Sequence, residues 1–288
     1  MSKQVKIIEC PRDAMQGIKT LIPTKNKVSY IQSLLRVGFD TIDFGSFVSP
    51  KAIPQMQDTA AVLEQLDLSQ TTSKLLAIIA NTKGAELASA HQAIQYLGFP
   101  FSISENFQMR NTHKTIAESL VTLQEILEIA NTTNKEVVTY LSMGFGNPYG
   151  DPWNVEIVGE WTEKLSKMGV KILSLSDTVG SSTPEVIDYL FSNLIPHYSQ
   201  IEFGAHLHTT PTSWFEKVNA AYNAGCYRFD GAIQGFGGCP MATDKLTGNM
   251  PTEKLISYFT ANKAVTNCNV LSFESAYNQA SKLFGAFH

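Results

Sequence analysis

The sequence predicts an α/β protein, a (β/α)8 TIM barrel with a short C-terminal helical extension. Eight short apolar runs alternate with longer stretches whose apolar residues recur every three to four positions, a pattern that requires parallel strands joined by helices. Eight such units within 288 residues fit a closed barrel better than an open sheet. A dinucleotide-binding sheet would need a glycine-rich turn after the first strand, where Cys10-Pro-Arg-Asp13 stands instead.

The predicted strands are short and rich in aliphatic, β-branched and aromatic residues. In chain order they span residues 5–10, 41–45, 74–80, 99–104, 136–142, 171–176, 201–206 and 227–232. The clearest helical patterns between them span residues 27–38, 116–130 and 155–169. Three helical units end in glycine, at Gly38, Gly169 and Gly225, and the segment 182–185 is typical of a helix start.

Composition restricts the class of protein. Of the 288 residues, 43% are hydrophobic and 17% are charged, which supplies a large core and excludes a disordered chain. The formal net charge is −4 and no long basic run occurs, so nucleic acid is not expected as a partner. We expect one domain over residues 1–288, with the barrel at about 4–262 and the helical segment at about 263–288.

The sequence also predicts where the protein resides. No apolar segment with a cleavage site opens the chain, and the longest apolar stretch, 75–80, is far too short to span a membrane. The four cysteines are widely spaced, which is typical of reduced thiols rather than of a disulfide framework. We therefore expect a cytoplasmic protein that does not bind membranes. A homodimer is compatible with such a barrel, but the sequence does not decide the assembly.

Polar side chains end or follow the predicted strands. The carboxyl ends of barrel strands converge on one face, where the active sites of such barrels lie. The sequence therefore predicts a single site that combines residues from many strands. The residues at these positions are Arg12, Asp13, Asp43, Asn81, Glu105, Ser142, Asp177, Thr178, His206 and His208, with Cys239 and Asn249 after the eighth strand.

His206 and His208 are the strongest local signal. Residues two apart on a strand face the same side, so both imidazoles are expected to point into the barrel mouth. An isolated pair of this kind serves a buried loop about as often as it binds a metal. Asp13 adds a carboxylate from the first strand, which favours a divalent ion such as Mg²⁺, Mn²⁺, Co²⁺ or Zn²⁺. The other histidines, His91, His113, His197 and His288, are expected at the surface.

Three further residues carry predicted chemistry. Arg12 and Asp13 are adjacent at a strand end and should point to different sides, so Asp13 can hold a metal while Arg12 reaches the substrate. Asp43 is expected to hold the guanidinium of Arg12 or to be a structural carboxylate of the barrel. Cys239 follows two glycines and precedes a proline, which is typical of a loop from which a thiol can act as an acid or base. A structural role is the alternative for Cys239, and it is preferred for Cys10, Cys226 and Cys268.

Several segments together resemble the 3-hydroxy-3-methylglutaryl-CoA (HMG-CoA) lyases. They occur in family order from residue 9 to residue 249, at 9–16, 46–56, 174–180, 205–208, 235–240 and 248–249. The most specific are Ser46-Phe-Val-Ser-Pro-Lys51 and Gly237-Gly-Cys-Pro240. The His-Leu-His element alone is shared with a wider superfamily of metal-dependent barrels that includes isopropylmalate and homocitrate synthases.

The resemblance implies a divalent-metal-dependent TIM-barrel enzyme that cleaves HMG-CoA to acetyl-CoA and acetoacetate. It implies that Arg12 binds the substrate and stabilises an enolate, that Lys19 binds the substrate, and that Cys239 transfers a proton. Asp43, Asp177 and His206 complete the residues predicted to be catalytic. The metal ligands that the resemblance implies are Asp13, His206, His208 and Asn249.

Three positions depart from the family pattern. Ala14, Asp43 and Thr209 stand where the family usually has glycine, glutamate and aspartate. These differences leave open a lyase or aldolase acting on another 3-hydroxyacyl-CoA. They also leave open a catalytically impaired barrel that binds a metal and an acyl-CoA.

Overall fold

The computed structural model describes residues 4–238 and 247–287 and confirms the TIM-barrel prediction. Two short strands, β8 (His208–Thr209) and β10 (Gly248–Asn249), pair antiparallel beside the end of the seventh barrel strand. Eight parallel strands close the barrel in the order β1 (Lys6–Glu9), β2 (Thr41–Ser46), β3 (Lys74–Ile78), β4 (Ile94–Ser102), β5 (Glu136–Ser142), β6 (Ile172–Ser176), β7 (Glu202–His206) and β9 (Arg228–Gly231).

Helices surround the barrel and cover the outer faces of its strands. Short 3-10 turns lie at Pro54–Met56 and Ile233–Gly235. The segment 182–185 starts a helix as predicted, because the hydroxyl of Thr183 accepts a hydrogen bond from the Val186 amide and Pro184 occupies the first turn. The helices are α1 (Pro11–Gln16), α2 (Thr24–Leu34), α3 (Thr59–Leu63), α4 (Thr82–Ser89), α5 (Glu105–Thr112), α6 (Ile116–Thr132), α7 (Val155–Lys167), α8 (Pro184–His197), α9 (Trp214–Asn223), α10 (Thr252–Ala261) and α11 (Val270–Phe287).

The predicted start of β4 was wrong. The strand begins at Ile94 rather than at residue 99, and it includes Gly98, although glycine is usually depleted in strands. A Cβ atom at Gly98 would lie 2.5 Å from Cδ1 of Ile78 and 2.9 Å from Cδ2 of Leu76. A side chain at this position would displace the ends of Ile78 and Leu76, so this glycine serves packing inside the barrel rather than a turn.

The barrel interior is divided into an apolar half and a charged half. The apolar half, on β3 to β6, is a cluster formed by Leu76, Ile78, Tyr96, Val138, Tyr140 and Ile172. Arg228 and Asp230, two residues apart on β9, are buried and share one face of that strand. Charged groups therefore lie beneath the side of the mouth where β7, β9 and β1 meet.

The C-terminal helix packs onto the barrel helices. The rings of Tyr30 in α2 and Phe284 in α11 are 5.8 Å apart, and those of Phe39 and Phe273 are 6.4 Å apart. These contacts are consistent with one domain over residues 1–288, which stays a prediction. Within the described ranges, no helix is both long and apolar enough to cross a membrane.

Glu9 provides a test of the packing between β1 and the loop after β9. Its carboxylate is fully buried and accepts hydrogen bonds from the Ile233 amide, at 3.0 Å, and from Oγ1 of Thr252, at 2.5 Å. Burial raises the pKa of Glu9 from 4.5 to about 8. The unfolded carboxyl loses its proton first, so the wild-type protein loses stability as the pH rises from about 4.5 to about 8.

We expect Glu9→Gln to leave the free energy of unfolding unchanged at pH 5 and to raise it by about 1–3 kcal/mol at pH 9. The amide keeps both hydrogen bonds, since its oxygen accepts from Ile233 and its nitrogen donates to Thr252, but it carries no charge to bury. Urea unfolding at the two pH values measures this difference. An equal change in stability at both pH values would show that ionisation of Glu9 is not the cause.

Candidate metal centre

Three side chains with metal-ligating atoms converge at the barrel mouth. Asp13 lies in the first turn of α1, directly after β1, His206 ends β7, and His208 begins β8. One ligand atom from each residue lies within 4.8 Å of those of the other two. Nε2 of His206 is 3.9 Å from Oδ2 of Asp13, and the centroids of the two imidazoles are 5.4 Å apart.

Two details of the predicted local structure were wrong, although the convergence was correct. The two histidines do not lie on the same strand. His206 ends β7, and its carbonyl accepts a hydrogen bond from the Asp177 amide, whereas His208 pairs with Asn249 of β10. The imidazoles nevertheless remain neighbours. Asp13 and Arg12 belong to a helix rather than to a strand end, and their side chains contact each other, with Nη1 of Arg12 at 3.1 Å from Oδ1 of Asp13.

The hydrogen bonding of His208 fits a metal ligand. Its Nδ1 lies 3.0 Å from the Thr178 carbonyl, which can only accept, so Nδ1 carries the proton. Nε2 then carries a lone pair, and it is buried without a hydrogen-bond partner among residues 4–238 and 247–287. Burial is the main effect that lowers the pKa of His208 to about 4, so the ring is neutral at pH 7. A neutral imidazole whose other nitrogen is held by a carbonyl is the usual state of a metal-ligating histidine.

Asp13 is held as an anion by several donors. Oδ1 accepts hydrogen bonds from Nε2 of Gln16, at 2.6 Å, and from Arg12, while Oδ2 accepts one from Nδ2 of Asn249, at 2.9 Å. Burial acts to raise the pKa of Asp13, but the charge of Arg12 first, and then the hydrogen bond from Asn249, outweigh it and lower the pKa below its ordinary value. A carboxylate and two imidazole nitrogens fit a divalent cation and leave further coordination positions for a substrate.

Asn249 lies beside these ligands, but its amide nitrogen is the atom that contacts them. Nδ2 donates to Oδ2 of Asp13 and, at 2.8 Å, to the Phe236 carbonyl. The amide oxygen would be the ligating atom, so a ligand role for Asn249 stays a prediction. In the arrangement described here, Asn249 holds Asp13 in place.

Arg12 and Asp43 form the contact that the sequence predicted. Nε of Arg12 lies 3.0 Å from Oδ2 of Asp43, and Nη2 bonds to the same oxygen. Asp43 is completely buried in the middle of β2, not at its end as predicted. Burial opposes the charge of Arg12, but Asp43 and Asp13 outweigh this effect and raise the guanidinium pKa above its ordinary value. Arg12 is therefore a permanently positive group in a fixed position.

A cavity of about 380 Å³ opens beside these residues at the carboxyl ends of the strands. Its polar lining includes Arg12, Asp13, Gln16, Ser176, His206 and His208. Its lining also includes apolar and aromatic side chains, namely Val48, Ala52, Ile53, Ile78, Pro100 and Tyr140. This combination suits a small molecule that has both anionic oxygens and an alkyl group.

Asp177 lies behind this cavity and is not among the described residues that line it. Its carboxylate accepts hydrogen bonds from Nζ of Lys217, at 2.7 Å, and from the amide and hydroxyl of Ser182. Lys217 also donates to the His208 carbonyl, at 2.9 Å. Asp177 thereby connects the loop that carries Thr178 to β8, an arrangement that suits a positioning role for His208, while its predicted catalytic role stays a prediction.

We expect Asp177→Asn to lower the free energy of unfolding by about 3 kcal/mol, because it leaves the buried Lys217 ammonium without its counter-ion. The same change should weaken Mn²⁺ binding by roughly 10-fold, because the Thr178 carbonyl then holds His208 less firmly. Urea unfolding and calorimetric titration with Mn²⁺ measure the two effects. Glu163→Gln is the matched control: it breaks the exposed pair with Lys167 and should change neither quantity by more than about 0.5 kcal/mol. Unchanged Mn²⁺ affinity in Asp177→Asn would contradict the positioning role.

The other residues singled out in the sequence differ in where they lie. Cys239 lies outside the described residues, as does His288. Lys19 is exposed and is not among the residues described as lining the cavity, so its role in substrate binding stays a prediction. Cys10 and Cys226 are buried and Cys268 is partly buried. His113 and His197 are exposed as expected, whereas His91 is half-buried.

Sequence reasoning missed three residues that shape the site. Gln16 lies one helical turn after Asp13, a spacing that could have identified it. Asp230 contacts His206, and its place two residues after Arg228 on an inward strand face was the available signal. Gly237 has a φ of +86°, and a Cβ there would lie 2.7 Å from both the Asp13 carbonyl and Nδ2 of Asn249. Only glycine therefore fits between these groups. The sequence pattern predicted this segment simply as a loop.

Comparison with known proteins places this geometry in a family. Residues 4–279 match the model of the HMGL-like family. The mitochondrial hydroxymethylglutaryl-CoA lyase of Bos taurus is 34% identical over 255 residues, which cover 88% of this chain and 78% of that protein. A hydroxymethylglutaryl-CoA lyase of Bacillus subtilis is 31% identical over 258 residues, which cover 88% of this chain and 84% of the relative.

Solved structures agree with the sequence comparison. The crystal structure of the Bacillus subtilis HMG-CoA lyase matches with a TM-score of 0.92 and 30% identity, covering 98% of this chain and 94% of that one. An HMG-CoA lyase from Acinetobacter baumannii, in complex with coenzyme A and 3-methylmalate, matches with a TM-score of 0.89 and 29% identity, covering 98% and 92%. The resemblance found in the sequence motifs is thus confirmed, and the chain belongs to the HMGL-like family, which includes these hydroxymethylglutaryl-CoA lyases.

Proposed function

We propose that this protein is a divalent-metal-dependent carbon–carbon lyase that cleaves HMG-CoA to acetyl-CoA and acetoacetate. The observation that supports the proposal most directly is Nε2 of His208, which has no hydrogen-bond partner in the described part of the chain and is grouped with His206 and Asp13 at one cavity. The fixed guanidinium of Arg12 borders the same cavity. Family membership gives the reaction class, and this geometry supplies the groups that the reaction needs.

The reaction breaks the bond between C2 and C3 of the hydroxymethylglutaryl group. The C3 hydroxyl loses its proton and becomes the ketone of acetoacetate, while the electron pair of the bond moves to C2 as the enolate of acetyl-CoA. C2 then takes up one proton, so the net change is the transfer of one proton from the hydroxyl to C2. A divalent ion held by Asp13, His206 and His208 would polarise the substrate oxygens and lower the pKa of the hydroxyl. The ordinary pKa of an alcohol is far above 7, so this step needs such help.

Arg12 provides positive charge where the enolate oxygen develops negative charge. Asp43 holds the guanidinium through two of its nitrogens, so little reorganisation is needed during the reaction. We assign to Cys239 the delivery of a proton to the enolate carbon, an assignment that rests on its sequence context alone. Lys19 is the proposed contact for the CoA moiety.

The three departures from the family pattern do not favour another substrate. Ala14 is buried in the core, Asp43 keeps its contact with Arg12, and Thr209 is buried where β8 pairs with β10. None of the three is among the described residues that line the cavity. This placement supports HMG-CoA as the substrate over a different 3-hydroxyacyl-CoA. The presence of Asp13, His206, His208 and Asn249 speaks against an impaired enzyme.

The proposal also includes the metal cofactor, the substrate class, the cellular location and the assembly. Mixed nitrogen and oxygen ligands favour Mg²⁺ or Mn²⁺ in this proposal, with Zn²⁺ or Co²⁺ as alternatives. An acyl-CoA substrate is supported by the related lyase that was solved with coenzyme A. A cytoplasmic location and a homodimer complete the proposal, and residues 1–288 are taken as one domain.

A cleavage assay tests the function. Metal-free protein is reloaded with Mg²⁺, Mn²⁺, Co²⁺ or Zn²⁺ and incubated with HMG-CoA, 3-hydroxyglutaryl-CoA or 3-hydroxybutyryl-CoA. We expect acetoacetate and acetyl-CoA in equal amounts from HMG-CoA, fastest with Mg²⁺ or Mn²⁺. The highest kcat/KM on another thioester would favour the alternative substrate class. Metal binding by folded protein without cleavage of any of these thioesters would contradict the proposal.

A further inference from the structure

Asp230 is a buried carboxylate that contacts one of the candidate metal ligands. It lies on β9 with only 2% of its surface exposed, and its Oδ2 is 3.0 Å from Nδ1 of His206. An ionised carboxylate only accepts hydrogen bonds, so Nδ1 of His206 carries the ring proton. In the neutral ring that binds a metal, the lone pair is then on Nε2, the nitrogen that is 3.9 Å from Oδ2 of Asp13.

Among the described residues, no other hydrogen bond to the Asp230 carboxylate competes with that from His206. Its second oxygen, Oδ1, is buried without a hydrogen-bond partner in that part of the chain. The guanidinium of Arg228, two residues earlier, is also buried and makes no hydrogen bond to a described residue. Its Nη1 lies 3.8 Å from Oε1 of Glu202 and 3.9 Å from Oδ1 of Asp40. The hydrogen bond of the Asp230 carboxylate, by contrast, goes to His206.

The two histidines are oriented by different acceptors. His208 donates its Nδ1 proton to the neutral carbonyl of Thr178, whereas His206 donates to a carboxylate. A carboxylate partner makes the opposite ring nitrogen more basic and fixes the ring more firmly than a carbonyl does. The orientation and basicity of the His206 ring should therefore depend more strongly on its hydrogen-bond acceptor than those of the His208 ring do.

We propose that Asp230 is a positioning residue of the metal centre, which holds His206 in the tautomer whose Nε2 faces Asp13. This inference rests on the metal site of the proposed function but not on the identity of the substrate. It makes Asp230 a determinant of metal affinity although it is not itself a ligand.

The alternative to this positioning role is a metal site in which Asp230 and His206 both bind the ion. Ligand atoms of Cys10, His206 and Asp230 also lie within 4.8 Å of one another. In that arrangement Nδ1 of His206 and the Asp230 carboxylate would bind the ion themselves, together with a thiolate. The 3.0 Å separation of Asp230 and His206 is that of a hydrogen bond between them, which favours the positioning role.

Mn²⁺ affinity, measured by calorimetric titration of the metal-free protein, tests the proposal. We expect Asp230→Ala to weaken Mn²⁺ binding by about 10- to 100-fold. Asp230→Asn should weaken it as well, because an amide nitrogen can donate to Nδ1 of His206 and move the ring proton to Nε2. Glu9→Gln is the matched control, since it removes an equally buried carboxylate from the neighbouring β1, and should stay within about twofold of the wild type.

Two further readouts separate positioning from a general structural effect. Nitrogen NMR of the metal-free imidazoles should show His206 protonated at Nδ1 in the wild type and at Nε2 in Asp230→Asn. The Co²⁺-loaded wild type should lack a thiolate-to-metal charge-transfer band. Unchanged Mn²⁺ affinity and an unchanged tautomer in Asp230→Asn would overturn the proposal, and so would a charge-transfer band that Cys10→Ser removes.

If Asp230→Ala does not fold, the conservative variant Asp230→Asn tests the proposal. A protein whose Mn²⁺ binding depends on Asp230 but which does not cleave HMG-CoA would support this inference while contradicting the proposed function. The two failures are therefore distinguishable.

Discussion

Asp13→Ala is expected to weaken Mn²⁺ binding by more than about 100-fold and to abolish turnover of HMG-CoA, because a direct ligand matters more than the outer residues that orient it. The variant removes the only carboxylate of the grouping that Asp13 forms with the two histidines. It also removes the carboxylate that lies beside the buried His208 and the partly buried His206. Calorimetric titration with Mn²⁺ and an acetoacetate assay measure both effects.

Gln16→Ala is the matched control for this prediction. It removes the 2.6 Å hydrogen bond to Oδ1 of Asp13 but keeps the carboxylate. We expect a loss of Mn²⁺ affinity of less than about 10-fold. Wild-type affinity in Asp13→Ala, or equal losses in the two variants, would mean that the metal does not bind at Asp13.

The second large effect is expected from Arg12→Lys, which should lower kcat by about 1,000-fold while Mn²⁺ affinity stays within about threefold of the wild type. An ammonium group cannot reproduce the planar contact of Nε and Nη2 with Asp43, so the positive charge is neither fixed nor in place. Steady-state kinetics at saturating Mn²⁺, together with the metal titration, separates these quantities.

Asp43→Asn is the companion variant for Arg12→Lys. It preserves the side-chain volume and one acceptor for the guanidinium, so we expect kcat to fall by only about 10-fold. If kcat of Arg12→Lys were unchanged, Arg12 would not stabilise the transition state. If Mn²⁺ affinity fell as much as kcat, the role of Arg12 would be to hold Asp13.

Much of the fold could be predicted because the strands of a closed parallel barrel are short apolar runs separated by amphipathic helices. The seven other barrel strands were found to within a few residues, and β4 was placed late because Gly98 serves interior packing, which a single sequence does not display. The separate β8 was missed for a related reason. Its pairing with β10 is a long-range contact between two-residue segments.

The candidate site was predictable in its residues but less so in its connections. Local spacing identified the histidine pair, and strand-end position identified Asp13 and Arg12. The place of Asp177 behind the cavity depends on Lys217, which lies 40 residues away in the sequence. The contact between Asp230 and His206 likewise depends on which strands become neighbours when the barrel closes. Such partners follow from three-dimensional packing rather than from a motif.

The most direct test of metal-dependent HMG-CoA cleavage is one titration that follows bound Mn²⁺ and acetoacetate release in the same samples. Starting from metal-free protein, we predict that turnover rises in proportion to occupancy and reaches its maximum at one Mn²⁺ per chain. The Asp13→Ala variant should show neither binding nor product over the same range. Folded wild-type protein with one bound Mn²⁺ per chain and no acetoacetate would contradict the account, and so would full turnover in the absence of any divalent ion.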